Sequence, residues 1–466
     1  MKVLVFAHTP PPHHGQSYMV QLMLEGFGGD QRKQGRKFQT NYFGPDLPSF
    51  NPTPAGDYGI ACYHVNARLS NNLEDIGAVR PGKFFLLFGY CLQAIWCRFR
   101  YGVNTFYYVP APGKKAALYR DWLVMFFCRP FFKKVVLHWH ATGMAKWLET
   151  AAQMRTRSLT YQLMKQVDLS VVLLQSNLAD PLKLLPQRVT AVANGIPDPC
   201  PSFDSEVHPR RLARYQARSS LLTGQNVTAA DLENTGGDPH IFKILFLAHC
   251  TREKGLFDTV DAIALANQKL VAERVAVRFR LTIAGDFLNA SEKTELQQRL
   301  LQPDLKADSF DAVRTGSAGV RGSLTRVESW VEYKGFARGR EKDRLFSECD
   351  CFCFPSYIES FGLVLAEAMA FGLPIVTTRR PGTPELLPPG SCELVDLRAP
   401  RQIAEALLAV MSKAPFELLR HHFVNHFTVE RHLAGLAAAF HSIESTSQTQ
   451  ASVGPAPLTS QPSHVS

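Results

Sequence analysis

Glu359 and Glu367 bracket the run Ser360-Phe361-Gly362-Leu363-Val364-Leu365-Ala366, between a buried-strand pattern at Cys351 to Pro355 and another at Ile375 to Thr378. The composition predicts that a strand ends at Pro355 and a short loop carries the first carboxylate. A helix then opens near Ser360 as N-cap and closes at Gly372, ahead of Pro374. The N–H groups of Phe361, Gly362 and Leu363 at such a helix start can bind phosphate oxygens, and the helix dipole favours the negative charge. Glu359, upstream of these donors, can accept from hexose hydroxyls. Glu367, roughly 12 Å further on if the whole interval were helical at about 1.5 Å per residue, can take a ribose diol. The order sugar, pyrophosphate, ribose is that of a nucleotide sugar. Two glutamates at this spacing alone would also fit a solvated helix, so the specificity has to come from their surroundings.

Those surroundings run from Phe354-Pro355-Ser356 through Glu359-Ser360-Phe361-Gly362 to Glu367-Ala368-Met369-Ala370-Phe371-Gly372-Leu373-Pro374-Ile375-Val376, with Gly382 and Pro384-Glu385 following. The segment resembles the donor-site signature of retaining glycosyltransferases of family four. The resemblance implies the GT-B architecture, two Rossmann-like doubly wound α/β domains facing across a cleft, and retention at the anomeric carbon.

Further positions follow from that resemblance. In Phe246 to Gly255, reading Phe-Leu-Ala-His-Cys-Thr-Arg-Glu-Lys-Gly, Lys254 falls where the family carries a lysine on the pyrophosphate, while the arginine position holds His249. Two arrangements stay open: Arg252 substitutes from a shifted loop, or the site keeps one full cation and a histidine. Paired cations offset the charge of a leaving nucleoside diphosphate without a metal ion. No Asp-x-Asp pair follows a strand, and neither metal nor cofactor is expected. The strand pattern Val136 to His140 ends with two histidines on one face; the resemblance assigns His140 to the cleft and His138 to the interior behind it. Gly15 belongs to the loop after the first strand, where open α/β sheets bind ligands. Gly285 and Gly335-Phe336 close two strands with a glycine, where backbone can approach a ligand, and the resemblance places the second near the nucleobase. Asp286 reads as a helix cap, and Asn194-Gly195 as the structural turn that closes the first domain in the family.

The elements that must position these residues are legible as alternation. Continuous apolar runs at Val3 to Phe6, Tyr58 to Tyr63, Phe106 to Val109, Val135 to Trp139 and Leu169 to Leu173 alternate with helical patterns. A second set reads at Phe242 to Leu247, Phe279 to Ile283, Val331 to Tyr333, Cys351 to Phe354 and Ile375 to Thr377. The expected organisation is an acceptor-side domain over 1–200, a polar linker with an insertion over 201–240 and a donor domain over 241–425. A helix returning to the first domain over 426–445 and a disordered tail over 446–466 complete it. Ala307 to Arg326 reads as a glycine-containing excursion, and the Asn226 sequon carries no weight without a secretory signal.

The 466 residues are 45% hydrophobic and 20% charged, the balance of an ordinary globular chain. Met1 to His8 reads as a strand rather than a signal sequence, and Phe84 to Cys97 is too short to span a bilayer. Cys349, Cys351 and Cys353 alternate along one strand pattern and read as small buried side chains in a reducing compartment. The net charge of +10 admits nucleic acid, an anionic membrane surface or anionic substrates as partners. No nucleic-acid motif accompanies it. The basic, aromatic stretch from Arg98 to Lys134 suits anionic lipid headgroups, or else a buried helix with solvated ends. The expectation is therefore a cytoplasmic enzyme, peripheral on the inner face of a membrane in the lipid-facing reading. It would move a hexosyl group from a nucleoside diphosphate sugar to a glycan or lipid-linked acceptor in polysaccharide or glycoconjugate biosynthesis. A catalytically inactive nucleotide-sugar-binding scaffold and a GT-B sugar-nucleotide epimerase are the alternatives.

Overall fold

The computed structural model describes residues 1–11, 14–33, 58–69, 81–225, 227, 235–306 and 329–449. The first half forms a six-stranded parallel sheet ordered β2-β1-β3-β4-β5-β6, from β1 (Lys2–Phe6), β2 (Ala61–Val65), β3 (Thr105–Tyr108), β4 (Lys134–Trp139), β5 (Leu169–Val172) and β6 (Val189–Ala191). The second half repeats the plan as β12-β11-β10-β7-β8-β9. Its strands are β7 (Ile241–Leu247), β8 (Arg278–Ala284), β9 (Val331–Gly335), β10 (Cys351–Phe354), β11 (Ile375–Thr378) and β12 (Cys392–Val395). The continuous apolar runs are required because helices cover both faces of each sheet, and Val3, Leu4, Val5, Ile244, Leu245 and Phe352 have no measurable exposure. In each sheet the strand order reverses beside the first strand of that half, which opens a crevice at the strands' carboxyl ends. The short β6 and β12 escape a reading based on long apolar runs, since their residues are mostly half-buried.

Seven helices position the cleft and its flanks: α1 (Gly15–Gly26), α2 (Pro81–Tyr101), α3 (Lys115–Cys128), α4 (His208–Leu222), α5 (Arg340–Glu348), α6 (Leu363–Ala370) and α7 (Val429–Thr449). The α4 helix corrects the reading of 201–240 as a polar linker. Three of its arginines, Arg211, Arg214 and Arg218, are buried. Asp350, just before β10, accepts from Arg214 Nε at 2.5 Å and Arg218 Nη2 at 2.9 Å, and from the Lys243 amide at 2.9 Å. Although burial opposes its charge, the two guanidiniums hold this carboxyl down to about 2. Arg211 instead donates to the carbonyls of Phe346 and Phe371 at the ends of α5 and α6. A segment that looks polar in sequence is thus a buried brace behind the second sheet.

The α7 helix lies against the first half. The Val429 amide donates to Ile196 O at 3.0 Å, His432 Nδ1 contacts Ala193 O at 2.7 Å, and Leu433 fills the space beside Gly26. Its helical course runs to Thr449, past the expected end of the pattern; residues 450–466 lie outside the described part, as do the 307–326 excursion and Asn226 of the sequon. One buried apolar cluster continues from Val3 and Tyr107 through Phe203, Leu433 and Phe440 to Leu245 and Phe352, so the two sheets share core as well as a cleft. All ten cysteines are free, and nine of them are buried. Cys351 and Cys353 face one core and Cys349, ahead of the strand, another.

Candidate functional site

The carboxyl ends of the two sheets enclose a cleft of about 410 Å³, within the range of small-molecule sites. From the first half it is lined by His14, Gly15, His140 and Asn194, and from the second by residues following β7, β8, β9 and β10. Gly15 sits so close to α6 that a side-chain carbon there would lie 3.3 Å from Leu363 Cδ1. Two further bonds tie the halves at this point. Ser360 Oγ donates to His140 O at 2.7 Å, and Asn177 Nδ2 donates to Ser360 O at 2.9 Å. Glu385, in the motif's tail, accepts the amides of Gln175 and Ser176 at 2.7 and 2.8 Å.

The α6 start differs from the sequence expectation. The helix opens at Leu363 with Gly362 as its N-cap, and Ser360, spent on the interdomain bond, does not cap it. Gly362 adopts φ +86°, a left-handed conformation suited to glycine, and this turn brings the backbone of Phe361, Gly362 and Leu363 to the cleft wall. The ring of Phe361 points into the core against Phe427. The helix ends as expected, with Gly372 at φ +62° and the Leu373 amide returning to Ala368 O at 2.9 Å.

Both glutamates line the cleft, and each is ion-paired. Glu359 takes the ammonium of Lys254, which also lines the cleft. Glu367, buried on α6, accepts from Lys342 Nζ of α5 at 2.7 Å, and both side chains are 9% exposed. His249 is in the wall, and burial, then the nearby Lys254 charge, lowers its pKa, so it is a neutral imidazole at neutral pH. Gly285 lines the cleft at φ +147°, with its backbone so near Ala248 O that a side-chain carbon would lie 1.7 Å from that oxygen. Phe336, more than half exposed, presents its ring there.

Two expectations are corrected. Arg252 is not in the cleft wall: its guanidinium reaches back to Glu295 at 2.6 Å and lies over the Phe257 ring, and the side chain is half exposed. Of the two open arrangements, the structure therefore keeps His249 in place and turns Arg252 away. Gly335 is also outside the wall, with its carbonyl accepting the Gly285 amide at 2.8 Å from behind.

Sequence reasoning missed Arg338, an exposed cation in the wall with no ion-pair partner among the described residues. It missed Lys342 as well. Both come within a few residues of the strand-end Gly335-Phe336, so extending that motif into the next helix would have found them. Asn194, read as structural, lines the cleft, is buried, and has no partner for Oδ1 among the described residues.

His140 and His138 are both buried, with rings 4.2 Å apart. His138 bonds to Tyr107 through Nδ1 at 2.7 Å and stays behind, while His140 reaches the cleft. Burial, followed by the neighbouring His432 and His14, lowers His140 to about 3, so its ring is neutral, and its Nε2 has no hydrogen-bond partner among the described residues. An unpaired polar atom in this position is available to a ligand hydroxyl. Among the described residues no cluster of three or more His, Cys, Asp or Glu could hold a metal ion.

Residues 241–413 match the family model described as glycosyl transferases group 1. Curated relatives match part of the chain. A D-inositol 3-phosphate glycosyltransferase of Pseudarthrobacter chlorophenolicus is 33% identical over 31% of this chain and 28% of its own. A putative colanic acid biosynthesis glycosyltransferase, WcaL of Escherichia coli, is 27% identical over 42% and 45%. The matches therefore span less than half of these relatives' own length. Among solved structures, Anabaena HepE in complex with UDP and glucose has a TM-score of 0.54 at 15% identity, covering 95% of this chain and 100% of that one. Sucrose-phosphate synthase from Thermosynechococcus elongatus has 0.58 at 14%, covering 96% and 100%. The fold is GT-B.

Proposed function

We propose that the protein is a retaining glycosyltransferase that moves a hexosyl group from a nucleoside diphosphate sugar to a glycan or lipid-linked acceptor in glycoconjugate or polysaccharide biosynthesis. The observation that carries this reading is the convergence, in one interdomain cleft, of Lys254, Glu359, Glu367, the α6 start and the unpaired Nε2 of His140. The family match of the second half and the curated relatives support the reaction class.

In this reading the diphosphate lies against the backbone of Phe361 to Leu363, with Lys254 and Arg338 compensating the charge that develops on the leaving group. Arg338 takes the role expected of Arg252. These two cations are the basis on which we propose metal-independent transfer. Glu359, held by Lys254, orients hexose hydroxyls, and His140 Nε2 meets another hydroxyl of the same sugar. Glu367 accepts from the ribose, and the ring of Phe336 offers a face to the base. The acceptor enters from the first half past Gly15 and His140.

A thermal-shift screen against a panel of nucleoside diphosphate sugars tests this. At about a hundred times its dissociation constant a true donor adds about 2.7 kcal/mol to stability. The expected result is one responding sugar nucleotide, a response lost in Lys254→Ala and retained in Arg252→Ala. No response to any sugar nucleotide would overturn the reading. Donor binding without turnover would favour an inactive scaffold, and conversion of the donor's sugar without acceptor would favour an epimerase.

A further inference from the structure

The α2 helix is apolar on two opposite faces. Leu87, Cys91, Ala94 and Cys97 are buried against the first sheet. Phe85, Phe88, Leu92, Trp96 and Phe99 recur at the same helical spacing on the other side, with Phe85 72%, Trp96 53% and Phe99 67% exposed. The stripe extends sideways onto α3 and the turn after it, through Phe88 against Phe127 and Phe99 against Phe131. Isolated exposed side chains of this kind are ordinary, but a continuous, mostly aromatic stripe about 21 Å long from Phe85 to Phe99 on one helix is not.

On the described residues of α2 and α3 the exposed charges have one sign. The α2 helix contains no Asp or Glu, and the one acid on α3, Asp121, is fully buried against Tyr108 and Arg120. Arg100, Lys114, Lys115 and Lys133 are exposed around the stripe. We propose that this face lies on a bilayer carrying anionic headgroups, with the aromatic stripe in the interface and the basic residues on the phosphates. A second copy is disfavoured as occupant, because a two-fold contact would set this basic face against itself. In a parallel α/β domain each helix starts at the strands' carboxyl end, so Phe85 and Lys115 lie at the cleft end of the domain and Phe99 at the far end. The bilayer would then meet the protein beside the acceptor entrance. The proposal concerns binding only and stands whether or not the transferase reading does.

Vesicle flotation of the full chain tests it. Phosphatidylglycerol-containing vesicles are expected to bind at least tenfold more protein than pure phosphatidylcholine vesicles at low salt. Phe85→Ser/Trp96→Ser/Phe99→Ser should lower that binding at least tenfold with the melting temperature preserved. Arg100→Glu/Lys133→Glu, which leaves the apolar stripe intact, should remove the preference for anionic lipid. Absence of vesicle binding, or binding by either variant equal to that of the wild type, would overturn the proposal. A dimer in sedimentation velocity that the triple variant dissolves would overturn it in favour of a second copy.

Discussion

Substituting Glu367, alone as Glu367→Ala and together with Lys342, separates the ion pair this residue makes from the ribose contact proposed for it. The single substitution removes the carboxylate that lies 2.7 Å from the Lys342 ammonium, whose side chain is 9% exposed. Breaking such a buried pair from one side costs about 3–5 kcal/mol of stability. If Glu367 also accepts a ribose hydroxyl, losing that charged hydrogen bond removes about 1.5–3 kcal/mol of nucleotide affinity, on the order of 10- to 150-fold in dissociation constant. The double variant Lys342→Met/Glu367→Met fills the space with apolar side chains, and stability should return close to the wild-type value, as it does when buried ion pairs are replaced whole. Nucleotide affinity should stay lost. Urea denaturation and calorimetric titration with a nucleoside diphosphate read the two quantities independently. Recovery of affinity in the double variant would refute the ribose contact and leave Glu367 as a structural partner of Lys342. A single variant as stable as the wild type would refute the buried-pair argument.

Glu25 on α1 offers a pH test. Its Oε1 accepts from Gln21 at 2.8 Å, Oε2 has no partner among the described residues, and burial raises the carboxyl to about 7 against the Gln21 bond, which lowers it. A carboxyl raised on folding contributes its stability below the unfolded pKa and loses it as pH rises through the folded one. Glu25→Gln should therefore gain on the wild type by up to about 3 kcal/mol between pH 4.5 and pH 8, and denaturation curves that keep a constant separation across that window would exclude the effect. Gly285→Ala should unfold or distort the cleft wall, because the new carbon would lie 1.7 Å from Ala248 O at φ +147°. A thermal midpoint and donor response matching the wild type would show that the wall can relax around it.

Much of the fold was legible because buried parallel strands leave a local mark: Val3 to Phe6, Val135 to Trp139 and Phe242 to Leu247 are apolar almost throughout, and each is a strand with both faces covered. Gly372 and Pro374 marked the end of α6 for an equally local reason, the left-handed turn that closes a helix. The start of α6 was misplaced because Ser360 Oγ turns to donate to His140 O, 220 positions away in the chain, instead of accepting from the helix's own amides. Composition alone made 201–240 a linker, since nothing local says that Arg214 and Arg218 will meet Asp350 more than 130 residues later.

The cations show the same division within the site. The sequence by itself determined that Lys254 follows one buried strand and that Glu359 and Glu367 flank the helix start after another, because each relation lies within a single strand-loop-helix unit. Only the tertiary structure decided that Arg252 turns to Glu295, that Arg338 takes a place in the wall, and that Lys342 closes on Glu367. A long charged side chain reaches several ångströms from its backbone and settles on whichever opposite charge the fold brings near, and that neighbour is set by packing rather than by position in the chain.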